Sequence, residues 1–330
     1  MTLKNKKVLV TGAGGFIGSH LVERLVDDGC KVRAMVHYNS GGRWGNLEML
    51  TEEVKQKIEI FPGDVTDTYS VQKSVDGCDV VFHLAALIAI PYSYIAPQSY
   101  VATNVAGTLN VMEACRRFGV EKVIQTSTSE TYGTAVYTPI DEKHPLQGQS
   151  PYSASKIGAD KIAESYYCSY NLPVTTIRPF NTYGPRQSAR AVIPTIISQV
   201  LSGKKKIKLG SLGPVRDFTY VKDTVDGFMK IAASKRSIGE LINVGFGTGI
   251  TIGELARTII EIIGKEVEII SDDLRVRPEN SEVMELICAN DKARELVGWD
   301  SKYTLRDGLI ETIMFIEKNL CLYKTEIYNI

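Results

Sequence analysis

The chain has 330 residues, of which 44% are hydrophobic, which is enough for a sizeable core. Lysine plus arginine and aspartate plus glutamate both total 38, so the formal net charge is zero. This balance argues against a nucleic-acid or membrane-surface binder with a basic face. No apolar run approaches the ~20 residues of a membrane span, and the N-terminal segment lacks the apolar core of a signal peptide, so we expect a cytoplasmic protein. The six cysteines show no metal-ligand spacing with histidine, so we expect no metal site.

The N-terminal segment has the pattern strand, glycine turn, helix. The apolar run Lys7–Thr11 precedes the turn, and helical periodicity follows over residues 20–27. The turn and the start of the helix contain Gly12, Gly15, Phe16, Ile17 and Gly18. In a dinucleotide fingerprint the first of these glycines allows a tight turn, the second the close approach of a pyrophosphate, and the third the packing of helix on strand. The segment therefore predicts a dinucleotide cofactor with its phosphates at the helix N-terminus.

The second strand, residues 31–36, lacks the acid that usually holds the ribose 2′-hydroxyl of NAD. It is followed by His37 and Asn39, with Arg43 a little further on. A cation there can accept the 2′-phosphate of NADP, whereas Asn39 or backbone groups can hold an unphosphorylated ribose. We expect NAD as the cofactor and retain NADP as the alternative.

The third and fourth strands end in residues suited to the rest of a dinucleotide. Asp64 and Val65 follow the third strand; the carboxylate can bond an adenine edge, with the valine against the ring, or it can simply cap the next helix. The fourth strand leads into a segment rich in small residues, which lets a nicotinamide ribose and its phosphates lie against backbone: Leu84, Ala85 and Ala86. We expect His83 to be packed in the core, and Asn104, in a helical region among apolar neighbours, to bond backbone and brace the site.

Proton-transfer candidates follow the fifth strand and open a long helix. Thr128 and Glu130 come just after the β-branched run that ends at Thr126. Tyr152 and Lys156 lie one turn apart on one face of the helix. A hydroxyl, a carboxylate, a phenol and an ammonium can therefore converge where the strands end. This set suits the transfer of a proton and a hydride at a carbinol carbon.

Strands alternate with helical runs over residues 7–178, which predicts a doubly wound, Rossmann-type parallel sheet of the α/β class. Beyond this region the elements are shorter, and we expect a smaller C-terminal α/β lobe that caps the C-terminal ends of the strands. We place the cofactor domain at residues 1–180 and the substrate lobe at 181–330, with interleaved segments. Three arginines lie near glycine or proline turns of this lobe: Arg186, Arg216 and Arg277. Their planar forks suit the oxygens of a diphosphate.

Three motifs together resemble those of the extended short-chain dehydrogenase/reductase family. They are Gly12-x-x-Gly15-x-x-Gly18, Tyr152-x-x-x-Lys156 and Arg178-Pro-Phe-Asn-Thr-Tyr-Gly-Pro185. Within that family the chain is similar to the nucleotide-sugar epimerases and dehydratases over nearly all of its length. The resemblance implies bound NAD(P), a nucleotide diphosphate sugar as substrate, and a homodimer formed by the helices near 95–118 and 152–170.

The resemblance also implies roles for individual residues. Tyr152 is the general base on the sugar 4-hydroxyl, and Thr128 bonds the same hydroxyl. Lys156 and a cationic nicotinamide lower the pKa of the phenol from its usual value near ~10. Thr126 and Pro179 join the cofactor site. The implied contacts with sugar, diphosphate and base are Asn181, Arg186, Val192, Pro194, Lys208, Leu209, Arg216, Asn243 and Arg277.

Two segments narrow the resemblance further. Residues 87–94 and 126–130 look like those of the 4,6-dehydratases that act on UDP- or GDP-linked N-acetylglucosamine, in routes to legionaminic- and pseudaminic-type sugars. Sugar 4,6-dehydratases usually carry Thr-Asp-Glu, in which the glutamate removes the C5 proton and the aspartate protonates the departing 6-hydroxyl. This chain has Ser129 in place of the aspartate, followed by Glu130. Serine is a far weaker acid than aspartate.

The serine leaves several functions open. In the hypothesis that we favour, water or Glu130 shuttles the proton in a complete 4,6-dehydratase. A second hypothesis is a partial reaction that reduces a ready-made 5,6-ene 4-keto sugar. In a third, Glu130 only orients the sugar, in a 4-epimerase or a UDP-glucuronate decarboxylase; the Ser-Glu pair also resembles the decarboxylases. A non-enzymatic dinucleotide sensor is disfavoured, because such proteins typically lose Tyr152 or Lys156.

Overall fold

The computed structural model describes residues 2–327. Its α-helices are α1 (Phe16–Asp27), α2 (Glu52–Lys55), α3 (Thr68–Val75), α4 (Ile90–Ile95), α5 (Pro97–Tyr100), α6 (Gly107–Phe118), α7 (Pro151–Tyr170), α8 (Val192–Leu201), α9 (Val221–Ala233), α10 (Ile252–Ile263), α11 (Asp291–Val297) and α12 (Leu305–Lys318). Its strands are β1 (Lys7–Thr11), β2 (Lys31–His37), β3 (Ile58–Gly63), β4 (Val80–His83), β5 (Lys122–Thr126), β6 (Val174–Pro179), β7 (Asn181–Tyr183), β8 (Lys206–Leu209), β9 (Val215–Tyr220), β10 (Leu241–Val244), β11 (Gly249–Thr251), β12 (Glu268–Ser271) and β13 (Glu285–Leu286).

A seven-stranded parallel sheet forms the centre of the molecule. Its strand order is β10-β6-β5-β4-β1-β2-β3. The inner strands are almost wholly apolar because both faces of a parallel sheet are covered by helices; Val10 of β1, for example, pairs with Ala34 of β2 and Phe82 of β4, and all three are buried. The predicted α/β class and doubly wound parallel sheet are confirmed.

Helices from distant parts of the chain cover the two faces of the sheet. On one face, α1 and α9 pack together, and Leu25 and Phe228 belong to one buried core. On the other face, α3, α6 and α7 pack together, and Val71, Met112 and Ala163 belong to a second core. The carboxyl ends of the strands remain as the edge where ligands bind in such sheets.

The C-terminal half contributes both to a separate lobe and to the central sheet. In the lobe, β9 pairs with β7, β11 and β13, and β8 pairs with β12. In contrast, β10 pairs with β6 and becomes the edge strand of the central sheet. A boundary at residue 180 therefore divides the sequence but cuts through the sheet. Within residues 2–327, no helix combines the length and apolarity needed to cross a membrane.

Candidate active site

The proton-transfer residues lie at the carboxyl end of β5 and in the first turns of α7. After β5, the hydroxyl of Thr128 accepts a hydrogen bond from the Glu130 amide at 3.3 Å and so starts a 3-10 turn over Ser129–Tyr132. Helix α7 starts sharply because Ser150 and Ser153 form a reciprocal cap. The two starts place Thr128, Glu130, Tyr152 and Lys156 in one region.

Lys156 is held against the end of β5. Its side chain is buried, with only 5% of the residue exposed, and Nζ donates a hydrogen bond to the Thr126 carbonyl at 2.6 Å. Burial lowers the pKa of Lys156, while the Asp160 carboxylate one turn further along α7 raises it and Arg178 lowers it. The position of Lys156 is therefore fixed, and its protonation depends on the buried charges behind it.

Tyr152 lies beside Thr128 and Glu130 with 7% of the residue exposed. Burial raises the pKa of its phenol above the ordinary value, a hydrogen bond with Thr128 lowers it, and the charge of Glu130 raises it again. Without a ligand, the phenolate is therefore not favoured. A cation placed next to the ring, such as an oxidised nicotinamide, would favour it.

A buried ion pair supports this region from behind. Arg178 Nη2 lies 2.7 Å from Asp160 Oδ2, and Arg178 Nε donates to the Ser127 hydroxyl at 3.1 Å. The guanidinium also stacks on the Tyr132 ring, 4.4 Å from its centroid. Since Ser127 directly precedes Thr128, the pair fixes the segment that carries the Thr128 hydroxyl.

Four charged side chains of alternating sign extend from Glu130 into the C-terminal lobe. Arg277 Nη1 lies 3.9 Å from Glu130 and 3.7 Å from Glu282. The same Glu282 oxygen lies 3.5 Å from Arg216 Nη2. Arg277 Nη1 is buried and, among the described residues, has no partner at hydrogen-bond distance. The cluster therefore contains unused hydrogen-bonding capacity for an anion.

A cavity of about 270 Å³ opens next to this cluster. Four arginines line it: Arg190, Arg216, Arg275 and Arg277. Asn181 also lines it, and its Oδ1 is buried with no hydrogen-bond partner among the described residues. Arginine forks together with an unpaired amide oxygen suit a ligand that combines phosphates with hydroxyl or amide groups.

Seven of the nine predicted substrate contacts either line the cavity or lie next to a residue that lines it. Those that line the cavity are Asn181, Val192, Leu209, Arg216 and Arg277. Pro194 is buried in α8 between the lining residues Ile193 and Thr195. Lys208 precedes the lining residue Leu209, and both its backbone N–H and its carbonyl are bonded to the Gln199 side chain.

Two predicted substrate contacts do not line the cavity. The Arg186 side chain lies against α1, where Nη2 is 2.7 Å from Glu23, and its backbone has a positive φ of 68°. Asn243 is fully buried; it accepts a hydrogen bond from the Tyr132 hydroxyl at 2.8 Å and donates to the Ile140 carbonyl at 3.2 Å. Both side chains are therefore engaged in contacts within the chain, and their contact with a substrate remains a prediction.

The glycine turn fits a dinucleotide. Gly12 has a φ of +68°, and a Cβ there would lie 2.8 Å from the Ala85 amide, so the turn packs directly on the predicted nicotinamide segment. A Cβ at Gly18 would overlap the Gly12 carbonyl. At Gly15 a Cβ would meet only that carbonyl, at 3.1 Å, so the space beside the start of α1 is open to a phosphate.

Residues around the turn hold the predicted nicotinamide segment in place. Thr11 Oγ1 accepts hydrogen bonds from the amides of Leu84 and Ala85, both at 3.1 Å, and bonds the His83 ring at 2.8 Å. His83 is buried in the core, as predicted. Asn104, in the π-helical turn Val101–Ala106, bonds the backbone of Leu87 through both its oxygen and its nitrogen, as predicted.

The residues predicted to hold the adenosine of the cofactor are more exposed. His37 Nδ1 lies 3.7 Å from Asp64 Oδ2, and Val65 is buried behind them. The amide of Asn39 closes a turn by bonding the backbone N–H and carbonyl of Arg43, at 3.0 and 2.8 Å. The structure therefore places the predicted ribose and adenine residues at one edge. Within residues 2–327, no cluster of three or more His, Cys, Asp or Glu is arranged to hold a metal ion.

Sequence reasoning missed several lining residues, notably Arg190, Arg275 and Glu282. Arg190 follows Arg186 by one helical turn's length in sequence, and Arg275 and Glu282 flank Arg277. Proximity to the predicted arginines was the available signal. It does not tell which side chain faces a cavity, because these segments are loops.

Comparison with known proteins agrees with this geometry. The family described as GDP-mannose 4,6 dehydratase matches residues 9–312. The dTDP-D-glucose 4,6-dehydratase of Mus musculus is 32% identical over 328 residues, which cover 97% of this chain and 91% of that protein. The UDP-glucose 4-epimerase of Mycolicibacterium smegmatis is 34% identical over 315 residues, covering 94% and 98%.

Solved structures are equally similar. The dTDP-glucose 4,6-dehydratase DesIV of Streptomyces venezuelae, solved with NAD bound, has a TM-score of 0.87 at 27% identity and covers 96% of this chain and 99% of its own. The UDP-N-acetylglucosamine 4-epimerase of Methanobrevibacter ruminantium has a TM-score of 0.86 at 31% identity, covering 96% and 99%. Dehydratases and epimerases thus match about equally well.

A Rossmann-type sheet, a Tyr-Lys pair at its carboxyl edge and an arginine-lined cavity define an enzyme of the nucleotide-sugar dehydratase and epimerase class. The chain belongs to the GDP-mannose 4,6-dehydratase family, within the extended short-chain dehydrogenases/reductases.

Proposed function

We propose that the chain is a 4,6-dehydratase that uses bound NAD to convert an NDP-N-acetylhexosamine, UDP- or GDP-GlcNAc, to its 4-keto-6-deoxy form. The observation that carries the proposal is the position of Glu130. Its carboxylate lies beside Tyr152, whose pKa it affects, and 3.9 Å from Arg277. A carboxylate next to the C4 oxidation site is what C5 deprotonation needs and what simple 4-epimerisation does not need.

The oxidation half depends on α7 and β5. Tyr152 accepts the proton of the sugar 4-hydroxyl, and Thr128 hydrogen-bonds the same oxygen. Lys156, hydrogen-bonded to the Thr126 carbonyl, is the cation one turn from Tyr152 on the same helix and stabilises the phenolate. The glycine turn of Gly12, Gly15 and Gly18 would hold NAD, which would supply the hydride acceptor for C4 and, once reduced, the hydride donor for C6.

The elimination half depends on Glu130. A ketone at C4 acidifies the C5–H, and Glu130 removes this proton as general base. The C6 hydroxyl must then leave as water, and Ser129 cannot readily supply the proton that it needs. Glu130 itself, or a water molecule that it orients, returns the proton to the departing oxygen.

The substrate class follows from the cavity and from the sequence. Arg216 and Arg277, with Arg190 nearby, suit the diphosphate of a nucleotide sugar. The N-acetylhexosamine is supported by the resemblance of residues 87–94 and 126–130 to enzymes acting on such sugars. It is also consistent with the similarity to the M. ruminantium N-acetylglucosamine epimerase.

We also propose that the enzyme is a homodimer formed through α6 and α7. Each of these helices carries large apolar side chains on the surface of the chain: Leu109, Phe118, Tyr167 and Tyr170. Light scattering coupled to size-exclusion chromatography tests this proposal, and a mass of one chain would refute it.

Product analysis in deuterated water tests the proposed reaction. Incubation with UDP-GlcNAc and GDP-GlcNAc should give a 4-keto-6-deoxy sugar that carries solvent deuterium at C5, detected by NMR and mass spectrometry. Unlabelled product of unchanged mass with inverted C4 would refute dehydration. Turnover only with a supplied 5,6-ene would establish the partial reaction, and loss of carbon dioxide from a UDP-glucuronate substrate would establish decarboxylation.

The second candidate is 4-epimerisation, which Ser129 specifically favours. Epimerisation needs no acid at C6, so replacement of the dehydratase aspartate by serine would not slow this reaction. The 34% identity to the M. smegmatis epimerase is in accord with this candidate.

A further inference from the structure

Glu282 lies among the arginines that suit the substrate diphosphate. Among the described residues it is the carboxylate paired with Arg216, at 3.5 Å, and the same oxygen lies 3.7 Å from Arg277. Its side chain is largely buried and lines the cavity. A carboxylate therefore occupies the space between two guanidinium groups that would otherwise face an anionic ligand.

Hydrogen bonds anchor the segment around Glu282, whose side chain faces the arginines. Ser281 Oγ donates a hydrogen bond to the Gln149 carbonyl at 2.7 Å, next to the cap of α7. The Glu282 carbonyl accepts a hydrogen bond from Thr134 at 3.4 Å. The segment between β12 and β13 is thereby tied to the region that carries Tyr152.

Carboxylate and phosphate oxygens compete for the same arginine geometry, because both accept paired N–H donors. Arg216 and Arg277 with Glu130 and Glu282 carry no net charge, so the cluster is neutral before a ligand binds. A diphosphate placed on the two arginines would bring its negative charge close to the Glu282 carboxylate, in a site that is partly shielded from water. Like charges at this separation repel each other more strongly than in bulk water.

We propose that Glu282 is an internal counter-ion of the diphosphate subsite. In the free enzyme its carboxylate occupies this subsite, and the nucleoside diphosphate of the substrate must displace the carboxylate in order to bind. The inference rests on the nucleotide-sugar substrate of the proposed function and adds a residue that sets affinity for its diphosphate. The displaced carboxylate weakens binding of substrate and product alike, and its return to the arginines favours product release.

Calorimetric titration with UDP and with inorganic pyrophosphate tests the inference in the NAD-loaded enzyme. Glu282→Gln removes the competing charge and keeps the shape, so both ligands should bind more tightly, by about tenfold, or about 1.4 kcal/mol. Glu282→Asp keeps the charge but draws it back by one methylene, and its affinities should lie between those of the wild type and the glutamine variant.

Glu279→Gln is the matched control, because Glu279 is an exposed carboxylate on the same segment. Its affinities should stay within about twofold of the wild type. Weaker or unchanged binding by Glu282→Gln, in a variant with the wild-type melting temperature, would overturn the inference, since a merely structural Glu282 cannot yield tighter binding. Absence of binding of both ligands to the wild type would overturn it too.

The titration does not depend on turnover. An enzyme that binds UDP but forms no dehydrated sugar would refute the proposed dehydration, while the comparison of wild type with Glu282→Gln would still decide the role of Glu282.

Discussion

Replacement of Asp160 by asparagine should destabilise the fold strongly. Asp160 and Arg178 form a pair 2.7 Å apart whose side chains are only 5% and 1% exposed. Asparagine retains the shape and can still bond Ser127, but it leaves the Arg178 guanidinium charged and buried without a counter-charge. Removal of one member of such a pair costs about 3–5 kcal/mol, so Asp160→Asn should lose about that much free energy of unfolding.

Urea unfolding followed by circular dichroism measures this loss as a shift of the midpoint at unchanged slope. Glu164→Gln is a matched control on the same helix, because Glu164 pairs with Lys161 at 2.6 Å with both side chains more than half exposed. That change should cost at most ~0.5 kcal/mol. The double variant Asp160→Asn/Arg178→Met removes both charges and should recover most of the loss, since paired replacement of buried ions is often close to neutral.

A loss below about 1 kcal/mol in Asp160→Asn would refute this reasoning, because it would mean that the Arg178 charge is compensated by solvent and is not buried. A double variant no more stable than the single one would show that shape, and not charge, determines the cost.

Three further predictions concern the active site and the residues that support it. Glu130→Gln should reduce C5 deuterium incorporation by about 10²–10⁴-fold. Reduced nicotinamide, measured by absorbance, should still form on addition of substrate. Loss of both signals would contradict the separate role of Glu130. Gly18→Ala should yield protein depleted of NAD, because the new Cβ overlaps the Gly12 carbonyl, whereas Gly213→Ala, where a Cβ meets open space, should retain it. His20→Gln should flatten the acid dependence of stability. Burial, with Arg186, lowers the pKa of His20 to about 4, so neutral His20 stabilises the fold above pH 6.5 and this contribution is lost as the pH falls towards 4. The wild type should lose about 2 kcal/mol more than His20→Gln between about pH 7.5 and 5 in urea unfolding, and equal losses would contradict the assigned burial.

The central sheet and the common face of Tyr152 and Lys156 could be predicted from the sequence because both are encoded locally. Apolar strands alternate with amphipathic helices, and the spacing of Tyr152 and Lys156 on one helix fixes their common face. The glycines at 12, 15 and 18 likewise carry their geometry within one turn. Such features need no knowledge of distant partners.

Features that depend on distant partners were harder to predict. The extended segment at 240–244 is recognisable, but its place as an edge strand of the central sheet depends on pairing with β6, more than 60 residues earlier. Arg186 and Arg190 lie four residues apart in the loop after β7, yet Arg186 pairs with Glu23 of α1 whereas Arg190 lines the cavity. The burial of Asn243 similarly depends on Tyr132, a contact across 111 residues.

The residues proposed for oxidation at C4 and those proposed for elimination differ in how closely they determine the reaction. Under the proposed mechanism Tyr152, Lys156 and Thr128 support oxidation at C4, which dehydration and epimerisation share, so this half cannot distinguish them. The fate of the 4-ketone decides between the two reactions. Under the proposed dehydration Ser129 has no acidic proton to give, and Glu130 becomes protonated when it takes the C5 proton. The same carboxylic acid can then protonate the departing C6 oxygen if both groups lie on one face of the sugar. A single carboxylate is therefore sufficient, and the replacement of the usual aspartate by serine is compatible with a complete elimination.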